Sequence, residues 1–178
     1  ISIPSSGEFH KDKHVDITFD FPLTKFDSAA ITLKMTTEQI TEPQDVEFHF
    51  IQDTLNRRKY QLRTEWQPSA KYELLIPEGV FMNVAREQND TLKYSYTGAN
   101  PEKFAKINLT IKSTRSNAKY IIQLTNAQGK TQKEIRNATV GAYKMEFVTP
   151  GDVMLRVVED LNGNGKWDTG DYSKGRSE

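Results

Sequence analysis

Apolar and polar residues alternate along most of the chain. In Val15-Asp-Ile-Thr-Phe-Asp-Phe21 the apolar Val15, Ile17, Phe19 and Phe21 fall on one side of an extended segment, and Asp16, Thr18 and Asp20 fall on the other. This is the period-two signature of a half-buried strand. Pro22 ends it, because proline has no N–H to give to a ladder. The same alternation predicts strands over Ala30–Met35, Val46–Ile51, Lys59–Trp66, Lys71–Ile76 and Leu92–Tyr96. Between the first two of these, Thr36 to Pro43 allows a helical turn. Gly98-Ala-Asn-Pro-Glu102 then combines Gly, Asn and Pro in a single linker signal. Beyond it, Phe104–Ile111, Tyr120–Leu124, Thr131–Ile135, Tyr143–Phe147 and Val153–Val158 read as a second set of strands. Asn126-Ala-Gln-Gly129 and Thr149-Pro-Gly151 supply turns between them. Short strands at this spacing, with no sustained helical period, predict an all-β chain of two tandem antiparallel β-sandwiches, residues 1–98 and 99–178.

One stretch departs from strand-and-turn patterning. Numbered from Asp160 as position 1, Asp160-Leu-Asn-Gly-Asn-Gly-Lys-Trp-Asp-Thr-Gly-Asp171 places oxygen-bearing side chains at positions 1, 3, 5, 9 and 12: Asp160, Asn162, Asn164, Asp168 and Asp171. That is the ligand spacing of a calcium loop. Gly165 stands at position 6, where the chain must turn sharply with a positive φ. Lys166, at position 7, would contribute its backbone carbonyl. Position 12 is Asp in place of the longer chelating Glu, and positions 3 and 5 are uncharged. Three formal negative charges imply a weak site, about 10⁻⁴ to 10⁻³ M. The segment before the loop, Val153–Val158, reads as a strand, so the entering helix of an EF-hand is not expected. Turn chemistry explains Asn-Gly-Asn-Gly equally well, with Trp167 pinning the loop to a core. A turn does not need the acids at positions 1, 9 and 12.

Composition narrows the remaining classes. Lys and Arg number 24 and Asp and Glu 24, so no strong field for nucleic acid is expected. Residues 1–100 carry 11 Lys and Arg against 15 Asp and Glu, and the remainder 13 against 9, a modest asymmetry between the halves. With no cysteine, disulfides and thiolate metal sites are excluded. No apolar run reaches the ~18 residues of a membrane span. The chain opens at Ile1 without a Met or a charged-then-apolar leader, which suggests a mature or trimmed fragment.

Other candidates for chemistry are weaker. His10 and His14 are four apart, but no helical period or His-Glu-x-x-His accompanies them, and His49 alternates away from Phe48 and Phe50 into solvent. No nucleophile elbow, phosphate-cradling glycine loop or acid pair is present, so an enzyme within this chain is not expected. Arg57-Arg-Lys59 reads as a solvated hairpin end. Trp66, Tyr94 and Tyr96 offer aromatic faces that would suit a sugar, but the alternation places them in a core. Asn89-Asp-Thr91, Asn108-Leu-Thr110 and Asn137-Ala-Thr139 match the N-glycosylation tripeptide, which is too common to weigh by itself. Asp27-Ser-Ala29, Asp53-Thr-Leu55 and Asp90-Thr-Leu92 look like the acceptor used for O-glycosylation in some exported bacterial proteins.

The quoted segments carry a family resemblance. Phe19-Asp-Phe-Pro-Leu23, Trp66-Gln-Pro-Ser-Ala-Lys-Tyr72 and Ile76-Pro-Glu-Gly-Val-Phe81 resemble the bacterial Ig-like domains of surface-layer proteins. Tyr120–Leu124, Phe147-Val-Thr-Pro-Gly151 and Leu155-Arg-Val-Val-Glu-Asp160 resemble the prealbumin-like sandwich of the carboxypeptidase regulatory type. The Asp160–Gly170 motif is similar to the closing motif of exported bacterial proteins that carry both modules. The resemblance implies an immunoglobulin-like sandwich followed by a prealbumin-like one, within a longer chain. It also implies export to the cell surface or beyond, with a lipid anchor in another segment as one route. It supplies no established activity.

The expected function is a non-catalytic structural, spacer or adhesion module that works with other domains of the same chain and is stabilised by calcium in the 160–171 loop. Its expected external partners are a surface protein or a glycan, not nucleic acid. The alternatives are a carbohydrate-binding module, which requires an exposed aromatic platform, and an accessory domain of a larger surface enzyme.

Overall fold

Segments that alternate apolar and polar residues bury one face by pairing into sheets and stacking them. The computed structural model, which describes residues 1–115 and 117–166, is built in this way. Its regular structure is strands, with single 3-10 turns at Ser28–Ala30 and Pro101–Lys103. The chain divides into two compact units, Ile1–Pro101 and Glu102–Glu178.

Unit 1 holds ten strands: β1 (Glu8–Phe9), β2 (Val15–Thr18), β3 (Leu23–Phe26), β4 (Thr32–Thr36), β5 (Gln44–Asp45), β6 (His49–Gln52), β7 (Lys59–Arg63), β8 (Lys71–Ile76), β9 (Phe81–Asn83) and β10 (Leu92–Gly98). One sheet runs β1-β10-β8-β4-β5 and the other β2-β7-β6, with β3 and β9 paired beside them. The register sets Met35 opposite Tyr72 and Tyr72 opposite Tyr96 in the first sheet, and Val15 opposite Leu62 in the second. These side chains, with Ile17, Leu33, Leu74 and Ile76, form one buried cluster between the sheets. Each fully buried aliphatic side chain contributes about 1.5–3 kcal/mol.

The sandwich departs from the expected one in several places. β1 joins β10 in parallel, Glu8 opposite Thr97 and Phe9 opposite Gly98, so the unit is not wholly antiparallel. The run Val46–Ile51 is not one strand. Its neighbour β5 pairs with β4 in one sheet, and β6 pairs with β7 in the other, so the chain changes sheets across 46–48. β2 stops at Thr18, and Phe21, which alternation places inside, is 51% exposed. No helical turn forms over Thr36 to Pro43. Thr37 and Ile40 close that bend, through the Thr37 N–H to the Ile40 carbonyl (2.8 Å) and the Ile40 N–H to Thr37 Oγ1 (3.0 Å). The first unit also reaches three residues beyond Gly98. β10 runs through Gly98, and buried Ala99 donates its N–H to the Phe9 carbonyl.

The described residues of unit 2 hold five strands: β11 (Ala105–Ile111), β12 (Tyr120–Asn126), β13 (Thr131–Ala138), β14 (Gly141–Val148) and β15 (Val153–Glu159). β11 pairs with β14, and β13-β12-β15 forms the facing sheet. Ile111, Ile122, Leu124, Ala138, Met145 and Val148 form the buried core between them. β15 pairs with β12 along its whole length, from Val153 opposite Asn126 to Glu159 opposite Tyr120. The chain therefore leaves the sheet directly at Asp160, beside Lys119.

Candidate metal centre

Asp160 is fixed before the loop begins. Its N–H extends the β12–β15 ladder by one bond, to the Lys119 carbonyl at 2.8 Å, and its side chain is only 5% exposed. A carboxylate buried to that degree requires partners for its oxygens. Oδ1 accepts the Gly163 N–H at 2.7 Å and Oδ2 accepts the Gly165 N–H at 2.8 Å. Both glycines have left-handed backbone, φ 71° and 72°, which a side chain with a Cβ adopts only with strain.

Two further turns follow the same logic. Asn162 Oδ1 accepts the Asn164 N–H at 2.9 Å, and Asn164 Oδ1 accepts the Lys166 N–H at 2.7 Å. Asn and Asp close such turns through their own backbone two residues on. The loop is thus wound by the three side chains at positions 1, 3 and 5. Gly165 is buried against Asn137 of β13, whose own φ is 53°, and a Cβ at Gly165 would stand 3.3 Å from Asn137 Nδ2.

These residues suit a hard cation in their donor chemistry. Carboxylate and amide oxygens are acceptors with two lone pairs each, and calcium takes such oxygens. The hydrogen-bond partners of Asp160 among the described residues are neutral backbone N–H groups, which leaves its charge for a cation to neutralise. Asp160, Asn162 and Asn164 would contribute side-chain oxygens and Lys166 its carbonyl. Asp168 and Asp171, together with Trp167, lie outside the described residues. Among the described residues no three His, Cys, Asp or Glu side chains converge as a metal-holding group.

The other sequence candidates are dispersed. Trp66 and Tyr96 are 6% and 2% exposed. Trp66 stacks on Phe9 with ring centroids 4.8 Å apart, meets Tyr72 edge-on at 4.8 Å, and donates its indole N–H to the Lys13 carbonyl. Tyr94 is half-buried on Tyr96. Burial pushes the Tyr96 hydroxyl far above its ordinary range, with the neighbouring Tyr94 adding to the effect. These three rings form core, not a platform. His49 is exposed beside Glu47, and His10 is buried. Asn89 spends its amide on the Phe81 N–H and on the Pro77 and Asp90 carbonyls. Ser28, Thr54 and Thr91 of the three acceptor-like tripeptides are exposed. In unit 2, hydrogen bonds from Gln123 and Arg136 hold the Glu134 carboxyl below the usual range.

Sequence reasoning identified the oxygen spacing of the loop. It missed Asn137, for which the only signal is an Asn-Ala-Thr tripeptide that also reads as a glycosylation acceptor. Among the described residues no helix is long and apolar enough to cross a membrane. No protein-family model matches the chain, and no curated protein matches it.

Proposed function

We propose that this chain is a non-catalytic structural module of an exported bacterial surface protein, serving as a spacer or docking unit whose second sandwich ends in a calcium-stabilised loop. The observation that carries this reading is the burial of Asp160 at the mouth of the β12–β15 ladder, with both carboxylate oxygens turned onto the loop it begins. Bound calcium would neutralise Asp160 and join its oxygens to those of Asn162, Asn164, Asp168 and Asp171, so that the chain's exit from β15 is held rigid. Two sandwich units, each with a separate apolar core, suit a mechanical part. The closed aromatic cluster around Trp66 supports the spacer reading over a sugar-binding platform. Export and surface location rest on the family resemblance.

The deciding experiment is thermal unfolding in chelator and in millimolar calcium, for the unaltered chain and for Asp160→Ala and Asp171→Ala. Calcium at about ten times its dissociation constant adds about 1.4 kcal/mol, a rise of several degrees for a unit of this size. Both substitutions should abolish the rise. An unfolding temperature indifferent to calcium at every concentration would reduce the loop to a turn.

A further inference from the structure

Asn162 and Asn164 are the only asparagines in the chain followed by glycine. In such a pair the glycine nitrogen, with no side chain to hinder it, attacks the Asn side-chain carbonyl carbon Cγ. The nitrogen gives its proton to a base from solvent as the new Cγ–N bond forms. The Cγ–NH₂ bond breaks as its nitrogen takes a proton back from solvent, and ammonia leaves, closing a five-membered succinimide. Water then opens one of the two ring carbonyls, giving aspartate or isoaspartate with no change of oxidation state.

We infer that Asn162 and Asn164 are latent deamidation sites which Asp160 holds closed in the folded protein. The two nitrogens that must attack are those of Gly163 and Gly165, and both donate their protons to the Asp160 carboxylate, at 2.7 and 2.8 Å. Each attack therefore begins by giving up a charge-assisted hydrogen bond. It also creates negative character on a nitrogen that already faces a carboxylate, which a like charge disfavours. Asp160 acts here as a hydrogen-bond acceptor for the two N–H groups, not as the base that removes their protons, since a carboxylate is far too weak a base to deprotonate a peptide nitrogen. Gly165 is itself buried, which keeps solvent base from it. The two amide carbonyls are in turn tied to the Asn164 and Lys166 N–H groups, so the Asn side chains are committed to their turns.

Opening the loop removes these restraints together. Conversion to aspartate adds a negative charge at position 3 or 5 of the loop, and on the calcium reading given above it makes the ligand set more anionic. Conversion to isoaspartate inserts a carbon into the main chain and puts the loop out of register. The protection has Asp160 at its centre and does not require a metal.

The test incubates the intact chain, without calcium, at mildly alkaline pH, folded and in urea, beside folded Asp160→Asn. That variant keeps one carbonyl oxygen but loses the charge and the second oxygen. Peptide mass spectrometry follows the gain of a single dalton at Asn162 and Asn164, and near-ultraviolet circular dichroism reports which samples are folded. The folded natural chain should be slowest, urea fastest and Asp160→Asn between them. Loss of one charge-assisted bond corresponds to roughly a tenfold to hundredfold change in rate. The inference is overturned if the folded chain deamidates as fast as in urea, or if folded Asp160→Asn retains its asparagines as long as the natural chain. If the variant does not fold, the comparison of folded chain with urea decides. Because calcium is absent throughout, failure here leaves the calcium reading to its own experiment.

Discussion

The carboxylate of Asp160 accepts the backbone N–H of Gly165, five residues ahead, at 2.8 Å, and Gly165 meets it with φ at 72°. The acid has the burial of a core residue and the contacts of a turn residue. Replacing it by Ala leaves the buried Gly165 N–H and the Gly163 N–H without their acceptor. Asp160→Ala should therefore destabilise unit 2 by about 1–3 kcal/mol in the absence of calcium, and the urea midpoint measures it.

Gly98 allows a close approach within unit 1. A Cβ there would lie 1.7 Å from the Gln67 carbonyl oxygen, a backbone atom that cannot rotate away. The same region is bonded on both sides, Gly98 N–H to the Ala70 carbonyl and Ser69 N–H to the Gly98 carbonyl. Gly98→Ala should cost at least the about 1–3 kcal/mol typical of overpacking, because the clash must move the last strand. Denaturant unfolding monitored by tryptophan fluorescence in a Trp167→Phe background, where Trp66 is the remaining tryptophan, reads unit 1.

These two glycines mark what the sequence disclosed and what it did not. Gly165 is legible because a calcium-loop spacing demands a left-handed residue at position 6. Gly98 looks like linker punctuation, since nothing local shows that Gln67 passes so near. Strands β8, β10, β11 and β14 are visible because enough residues alternate to set a period, whereas β12 and β15 are visible as short runs rich in β-branched and apolar residues. β1 and β5, of two residues each, and the three-residue β9 are too short to show one. β1 also gains its place by pairing with a strand almost ninety residues away. Alternation misplaces Phe21 for a related reason: the pattern continues past Thr18, but the pairing with β7 does not. In the loop, the spacing shows which oxygens can gather, while the burial of Asp160 and the support from Asn137 depend on strands distant in sequence.

Tyr96 makes stability sensitive to alkali. Its hydroxyl donates to the Pro4 carbonyl at 3.0 Å, and burial pushes its ionisation well above the ordinary value near 10. The folded state holds the proton more tightly than the unfolded chain does. Stability is therefore fully present below about pH 10 and falls as pH rises beyond it. Tyr72, Tyr60 and Tyr94 shift in the same direction by burial. Tyr96→Phe should lose about 0.5–1.5 kcal/mol at neutral pH through the missing hydrogen bond, and its deficit should shrink above pH 10. Unfolding free energies at a series of pH values check both halves. A deficit that stays constant would show that Tyr96 does not titrate with unfolding.

Gly163 and Gly165 allow backbone strain to be separated from packing. Their φ angles are nearly equal, 71° and 72°, so Ala at either position carries a similar left-handed penalty of about 1–2 kcal/mol. Their surroundings differ. A Cβ at Gly163 meets nothing within 4 Å, whereas one at Gly165 stands 3.3 Å from Asn137 Nδ2. Gly165→Ala should therefore be the more damaging, and the excess should belong to Asn137. Asn137→Gly removes that side chain and relieves its own left-handed φ of 53°. Combined with Gly165→Ala, it should bring the cost down to that of Gly163→Ala. A double-mutant cycle on hydrogen-exchange protection of the Gly165 amide reads this coupling. If the excess persists after Asn137 is removed, it arises from the Asp160 bond to Gly165, and Asn137 is only a neighbour of the loop.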